Sequence, residues 1–146
     1  MQPIPVNWML GVVLLLVLAG CSRSTPEQAL RQQITQMQLG VEQRDPSAVT
    51  ALLAEDFLGN GGMDGQGLER LLRAQLLLNQ NIEVVLGPVQ VHIDGANAQA
   101  DFSVMLAGGN GRFFERGRIH QVSTHWRAQG DQWLLYRAQW GDGKQP

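Results

Sequence analysis

The chain has 146 residues, 44% of them hydrophobic and 16% charged, a balance that fits a folded globular protein and excludes a disordered one. Eleven basic against thirteen acidic residues give a net charge of −2, which offers no basis for a nucleic-acid partner. With a single cysteine there is no internal disulfide, and no Cys/His spacing suggests zinc, so neither a metal nor a cofactor is expected.

Residues 8–20 run WMLGVVLLLVLAG, an apolar stretch without a charge. It is shorter than the ~20 residues a membrane-spanning helix needs, and it suits the apolar region of a signal peptide covering residues 1–20. The stretch ends in Leu18-Ala19-Gly20-Cys21, which resembles the lipobox of bacterial lipoproteins. Small side chains at 19 and 20 admit a peptidase to the backbone, and the Cys21 thiol accepts a diacylglycerol. Cleavage then frees the Cys21 amine for a further acyl chain, and two or more chains anchor stably at ~0.8 kcal/mol per buried CH₂. The segment MQPIPVN departs from the pattern in lacking Lys and Arg. In enterobacterial lipoproteins an Asp after the cysteine favours retention in the inner membrane. Ser22 stands there instead, so the resemblance implies lipid anchorage to the outer membrane, facing the periplasm.

Residues 21–25 form a short lipidated tether, residues 26–141 one domain, and residues 142–146 a tail. About 125 residues from Cys21 onward suit a single core. Thr25-Pro26-Glu27-Gln28 reads as a capping box with Pro at N1, and Leu30, Ile34, Met37 and Val41 continue it as one apolar stripe. Asp45-Pro46 restarts the chain as a second helix carrying Val49, Leu52 and Leu53 and ending near Phe57. A turn at 59–62 leads to a third helix, about 65–79, with Leu68, Leu71, Leu72 and Leu76 on one face. Leu77 and Leu78 widen that stripe, which predicts the most buried of the three helices.

After Asn79 the period changes to two. Strands are predicted over 81–94, bent at Gly87-Pro88, then over 98–107, 117–127 and 132–140. Three helices followed by a four-strand antiparallel meander read as an α+β fold. Arg112, Arg116 and Arg118 cluster with Glu115 around the loop at 108–115 and read as a solvated edge.

The order of a helix, an Asp-Pro helix, Ala54-Glu55-Asp56-Phe57, a third helix and long strands ending in Gln132-Trp133-Leu134-Leu135 resembles the nuclear transport factor 2-like superfamily over residues 26–140. That resemblance implies a cone: a curved sheet wrapped around helices to form a pocket, as in ketosteroid isomerase and scytalone dehydratase. Relatives often carry a β-hairpin between the second and third helices. Only residues 57–64 are available for it here, so that wall of the pocket is expected to be short.

Pairing Arg127 with Gln132 across the last turn divides the final hairpin into two faces. One holds Ile119, Gln121, Ser123, Leu134, Tyr136 and Trp140. On the isomerase comparison this is the concave side, a pocket for a small apolar ligand with Gln121 and Ser123 as polar contacts. The other holds Val122, Thr124, Trp126, Trp133 and Leu135. It is expected on the convex side as an apolar interface, for a homodimer or a periplasmic protein partner.

The same comparison removes the isomerase's catalytic apparatus. Its tyrosine falls near Met37, its general base near Asn60 or Gly61, and its second acid near Ser123. Asp56 reads as a cap or ion-pair residue. His92, His120 and His125 form no ligand set, although a His–acid dyad across strands, as in scytalone dehydratase, stays open. The expectation is a lipid-anchored accessory or binding domain with no catalytic residue assigned. A cone-fold lyase or isomerase acting on a small apolar substrate is the alternative.

Overall fold

The computed structural model describes residues 23–107 and 119–141. The signal segment, Cys21 and the tail at 142–146 lie outside the described residues. So does the loop holding Arg112, Glu115, Arg116 and Arg118.

Helix α1, Pro26–Glu42, begins at the predicted capping box: the Thr25 hydroxyl accepts from the Gln28 amide at 3.2 Å, and Gln28 Oε1 accepts from the Thr25 amide at 3.0 Å. Helix α2 is one short turn, Pro46–Thr50, whose N-cap Asp45 accepts from the Ser47 and Ala48 amides. Hydrogen bonds from Ser47 and Ala48 hold the Asp45 carboxyl below the usual carboxylate range. Helix α3, Gly65–Leu78, is capped by Asp64, which accepts from the Gly67 amide at 2.7 Å. Arg44, at φ 62°, ends α1 and donates its guanidinium to the carbonyls of Leu76, Asn79 and Gln80. One cation thus binds a carbonyl of the last turn of α3 and the two that follow the helix, and ties that end to the end of α1.

Six strands form one curved, unclosed sheet: β1 Leu53–Leu58, β2 Glu83–Leu86, β3 Gln90–Asp94, β4 Asn97–Ala107, β5 Ile119–Gln129 and β6 Gln132–Gly141. The path is β1-β6-β5-β4-β2, with β3 also pairing β4. Two of the six exceed the expected meander of four. The predicted strand over 81–94 is broken at Gly87-Pro88 into β2 and β3, which pair with the two halves of β4. The second addition, β1, corrects the second helix, which stops at Thr50; Leu53–Leu58 is extended and runs parallel to β6. Tertiary pairing overrides the helical reading there, because β6 otherwise has no neighbour on that side.

The core joins Leu30 and Ile34 of α1 to Phe57, Ala98, Ala100, Trp126, Trp133, Leu135 and Ala138 of the sheet. Helix α3 is not the most buried helix: Leu76 is its one buried residue, and Leu77 and Leu78 are 82% and 61% exposed.

Candidate functional site

The β5–β6 hairpin turns through Gly130-Asp131, with Gln129 facing Gln132 and Gly130 at φ 60°, where a two-residue turn calls for glycine. Pairing runs from that turn to Trp126–Leu135 and then shifts by one residue, so that His125 faces Arg137 and Thr124 faces Ala138. The shift is a β-bulge that leaves Tyr136 as the extra residue of β6. Its effect on the site is large. Trp133 and Leu135 before the bulge share the inner face with Ala138 and Trp140 after it, and with Trp126, Thr124, Val122 and His120 across β5. On β4, Ala98, Ala100, Phe102 and Val104 complete that face.

At the turn end the inner face is closed. Trp126 is fully buried, and its indole N–H donates to Thr124 Oγ1 at 2.8 Å, while that hydroxyl donates to the Ala100 carbonyl at 2.7 Å. Gln33, buried on α1, uses its amide as a short strand: Nε2 donates to the Trp133 carbonyl at 2.8 Å, and Oε1 accepts from the Trp133 amide at 2.7 Å. Asn60 does the same at the far end of β6, exchanging both hydrogen bonds with the backbone of Trp140. The isomerase's general base falls near this asparagine in sequence, but here the side chain is spent on strand pairing.

Toward the other end the face opens. Ala98, Ala100, Thr124, Trp126 and Ala138 are buried, whereas Phe102, Val104, Val122, His120 and Trp140 are only half-buried. Leu68, Leu71 and Leu72 of α3 are half-buried as well, and α3 packs against α2 and β1. The result is an apolar mouth carrying one histidine. On β2 to β6 no described carboxylate stands on the inner face: Glu83, Asp94 and Asp101 alternate to the outer face, while β1 carries the exposed Glu55 and Asp56, the latter paired with Arg127. The helix carboxylates Glu27, Glu42 and Glu69 are held by Arg31, the Val84 amide and Arg73. No group of His, Cys, Asp and Glu among the described residues could hold a metal ion.

The faces read from sequence are therefore reversed, and one residue changes sides. Thr124, Trp126, Trp133 and Leu135 are buried in the core, with Val122 beside them on the inner face. They form no convex interface, because α1 already covers them, and the argument for a dimer built on two exposed tryptophans goes with that assignment. Ile119, Gln121, Ser123, Leu134 and Tyr136 lie on the outer face, and Trp140 alone of the predicted pocket lies on the inner one. The signal was in the spacing: Trp133, Leu135, Ala138 and Trp140 are separated by 2, 3 and 2, and the 3 marks the bulge.

On the outer face, polar residues surround Tyr136. The Arg127 guanidinium lies 4.9 Å from the centre of the Tyr136 ring and pairs with Asp56 of β1, and the His125 ring lies 6.1 Å from that of Tyr136. The hydrogen bond from Arg127 holds the exposed Asp56 carboxyl below its usual range, which gives Asp56 an ion-pair role. His92, on β3, is exposed and faces Gln99, which in turn faces His125, so these two histidines lie in one row of the outer face with Gln99 between them, while His120 lies on the inner face. At the β1 edge, the loop Gly59–Gly62 together with Leu58, Arg137 and Gln139 lines a separate open groove of about 350 Å³.

No family model and no curated protein matches the chain. Solved structures do match. A nuclear transport factor 2-like protein of unknown function from Pseudomonas putida is 18% identical, with a TM-score of 0.67 over 77% of this chain and 82% of that one. A nuclear transport factor 2-like protein with a cystatin-like fold from Novosphingobium aromaticivorans is also 18% identical, covering 99% and 94% of the two chains with a TM-score of 0.66. The fold is nuclear transport factor 2-like. A third neighbour from N. aromaticivorans, provisionally named a scytalone dehydratase, is 12% identical with a TM-score of 0.68 over 82% of this chain and 89% of its own. At these identities the likeness speaks for the nuclear transport factor 2-like fold and leaves the chemistry to the residues themselves.

Proposed function

We propose that the protein is a lipid-anchored periplasmic binding module whose cone holds a small apolar molecule without transforming it. The observation that carries this reading is the gradient along the inner face, buried at the turn end and half-open at the mouth. Phe102, Val104, Val122 and Trp140 supply apolar walls there, and no carboxylate of β2 to β6 shares that face. Sites of this kind bind by excluding water from apolar surface, with few polar groups to fix orientation. The anchor part of the proposal rests on Leu18-Ala19-Gly20-Cys21.

The test is mass spectrometry of small molecules retained by the purified protein. The expected result is an apolar compound that stays with the wild type, is lost from Val104→Asp, and is kept by the outer-face variant Tyr136→Ala. Growth with labelled palmitate should mark the mature chain, and Cys21→Ser should abolish the label. A retained compound that turns over on incubation refutes the non-enzymatic reading. It would favour a lyase or isomerase with His120, the one titratable side chain on the inner face of β4, β5 and β6, as its proton-transfer group. The neighbour bearing the provisional dehydratase name supports keeping that second reading.

A further inference from the structure

We infer that the domain stands on the membrane with its two hairpin turns toward the bilayer and the cone opening away from it. The apolar ligand therefore enters from the aqueous compartment and is not drawn out of the lipid. This inference rests on the proposed anchor at Cys21.

The polarity of α1 carries the inference. Its first turn is fixed at the hairpin end, where the Trp133 indole N–H donates to the Pro26 carbonyl at 3.0 Å, and Trp133 directly follows the hairpin residue Gln132. The other turn, Gly95-Ala96, lies at the same end, because the Ala128 amide donates to the Ala96 carbonyl at 2.8 Å. From there α1 crosses the sheet to the mouth end. Gln38 donates to the Val84 carbonyl at 2.7 Å and Glu42 accepts from the Val84 amide at 2.9 Å, and Val84 faces Leu106 near the end of β4.

The tether is too short to invert this arrangement. The chain from Cys21 to Pro26 reaches ~17 Å when fully extended, at about 3.3–3.6 Å per residue. Helix α1, with 17 residues, is ~25 Å long, and the strands beside it are longer still. Turning the mouth onto the bilayer would lift Pro26 by about the strand run from Ala98 to Leu106, ~26 Å at about 3.3 Å per residue, beyond the reach of its tether.

The chemistry of the hairpin end suits this arrangement. The hairpin end exposes Asp94, Asn97, Gln129, Asp131 and Gln132, which suit hydrated headgroups. Most of the exposed large apolar side chains among the described residues sit at the mouth end. Val85 and Ile119 both face Met105, Leu39 follows Gln38, and Leu77 and Leu78 end α3 beside the carbonyls that Arg44 holds, whereas Leu58 faces Arg137 midway along β6. In the inferred orientation this rim projects into the aqueous phase around the entrance.

Lipidated full-length protein in vesicles of phosphatidylethanolamine and phosphatidylglycerol, doped with a lipid carrying a headgroup nitroxide, reads the orientation directly. A fluorescent thiol label is placed at Asp131→Cys or Gln129→Cys on the hairpin end, and at Glu83→Cys on the mouth end, all exposed positions. Quenching should be several-fold stronger at 131 and 129 than at 83. Equal quenching would mean the domain lies on its side, stronger quenching at 83 would mean the rim faces the lipid, and either overturns the inference. Lipidated Cys21 is a thioether and takes no label. Labelling of the wild type at Cys21, with no palmitate incorporated, would instead remove the anchor and the orientation together.

Discussion

Replacing Gln33 with Leu isolates the bond by which α1 holds the sheet. The substitution keeps a side chain of similar bulk and removes both hydrogen bonds to the Trp133 backbone. Gln33 is 8% and Trp133 4% exposed, so water cannot replace the lost partners. A buried polar group left unsatisfied costs about 1–3 kcal/mol, and two are stranded here, so the loss is about 2–6 kcal/mol less ~1 kcal/mol regained from burying a more apolar side chain. Against a total stability of about 5–15 kcal/mol for a domain, that is a large fraction. The comparison is Gln38→Leu, which strands one carbonyl, that of Val84 on β2, instead of two groups; it should cost about half as much. Urea unfolding followed by tryptophan fluorescence measures both, with the midpoint shifting at constant slope. If Gln33→Leu unfolds within ~0.5 kcal/mol of the wild type, or costs no more than Gln38→Leu, the buried clamp is not what joins α1 to β6.

Three further outcomes follow from the geometry. Trp126→Ala should cost about 3–5 kcal/mol by emptying the core, whereas Tyr136→Ala should lose only ~0.5–1 kcal/mol from its contact with Arg127; the reverse order in denaturant unfolding would return these residues to the faces read from sequence. In Arg127→Gln, NMR titration should find the Asp56 carboxyl back in the ordinary range. Because its folded pKa is lowered, the pair stabilises above the unfolded carboxylate pKa and loses that contribution as pH falls through the folded value, so the wild-type advantage should narrow on acidification; a gap that widens in acid contradicts the pairing. A Cβ at Gly87 would lie 2.1 Å from Ser103 Oγ, so Gly87→Ala should destabilise by about 1–3 kcal/mol and Ser103→Ala should recover most of the loss; additive costs in the double-mutant cycle would show the clash is not with that hydroxyl.

Much of the architecture was legible because it is local. Thr25, Asp45 and Asp64 cap the helices through hydrogen bonds to amides two or three residues away, and Thr25-Pro26 and Asp45-Pro46 announce two of these starts in the sequence. Gly95 and Gly130 mark the hairpins in the same way. The misses are all long-range. Leu53–Leu58 carries no clean alternation and becomes a strand only because β6, some eighty residues later, lies beside it. The third helix looks the most apolar, yet only Leu76 of its last turn points inward, beside the end of α1, and Leu77 and Leu78 face solvent. The faces of the last hairpin were inverted because concavity depends on where α1 lies, and α1 is placed by Gln33, a residue that reads as solvated in any helical stripe. The bulge at Tyr136 was visible as a change of spacing from two to three, but a strict period of two cannot represent it.

An unclosed sheet has two edges, and each presents backbone groups that need partners or invite another chain. A barrel removes its edges by closure, and a small barrel fills its interior with side chains. This chain satisfies many of those groups from outside the sheet. Gln33 and Asn60 complete Trp133 and Trp140 on β6, the Leu52 carbonyl accepts from the Leu135 amide, Gln38 and Glu42 complete Val84 on β2, and Arg31 donates to the Val89 carbonyl. Four of these residues come from one helix laid diagonally across the concave face, so the element that fills the closed end of the cone is also the one that quiets its edges. Such a helix can be tight at Trp133 and leave the far end unfilled, because edge satisfaction no longer depends on packing there. The half-exposed apolar mouth at Phe102, Val104, Val122 and Trp140 is where the proposed ligand would find the walls that this division of labour leaves uncovered.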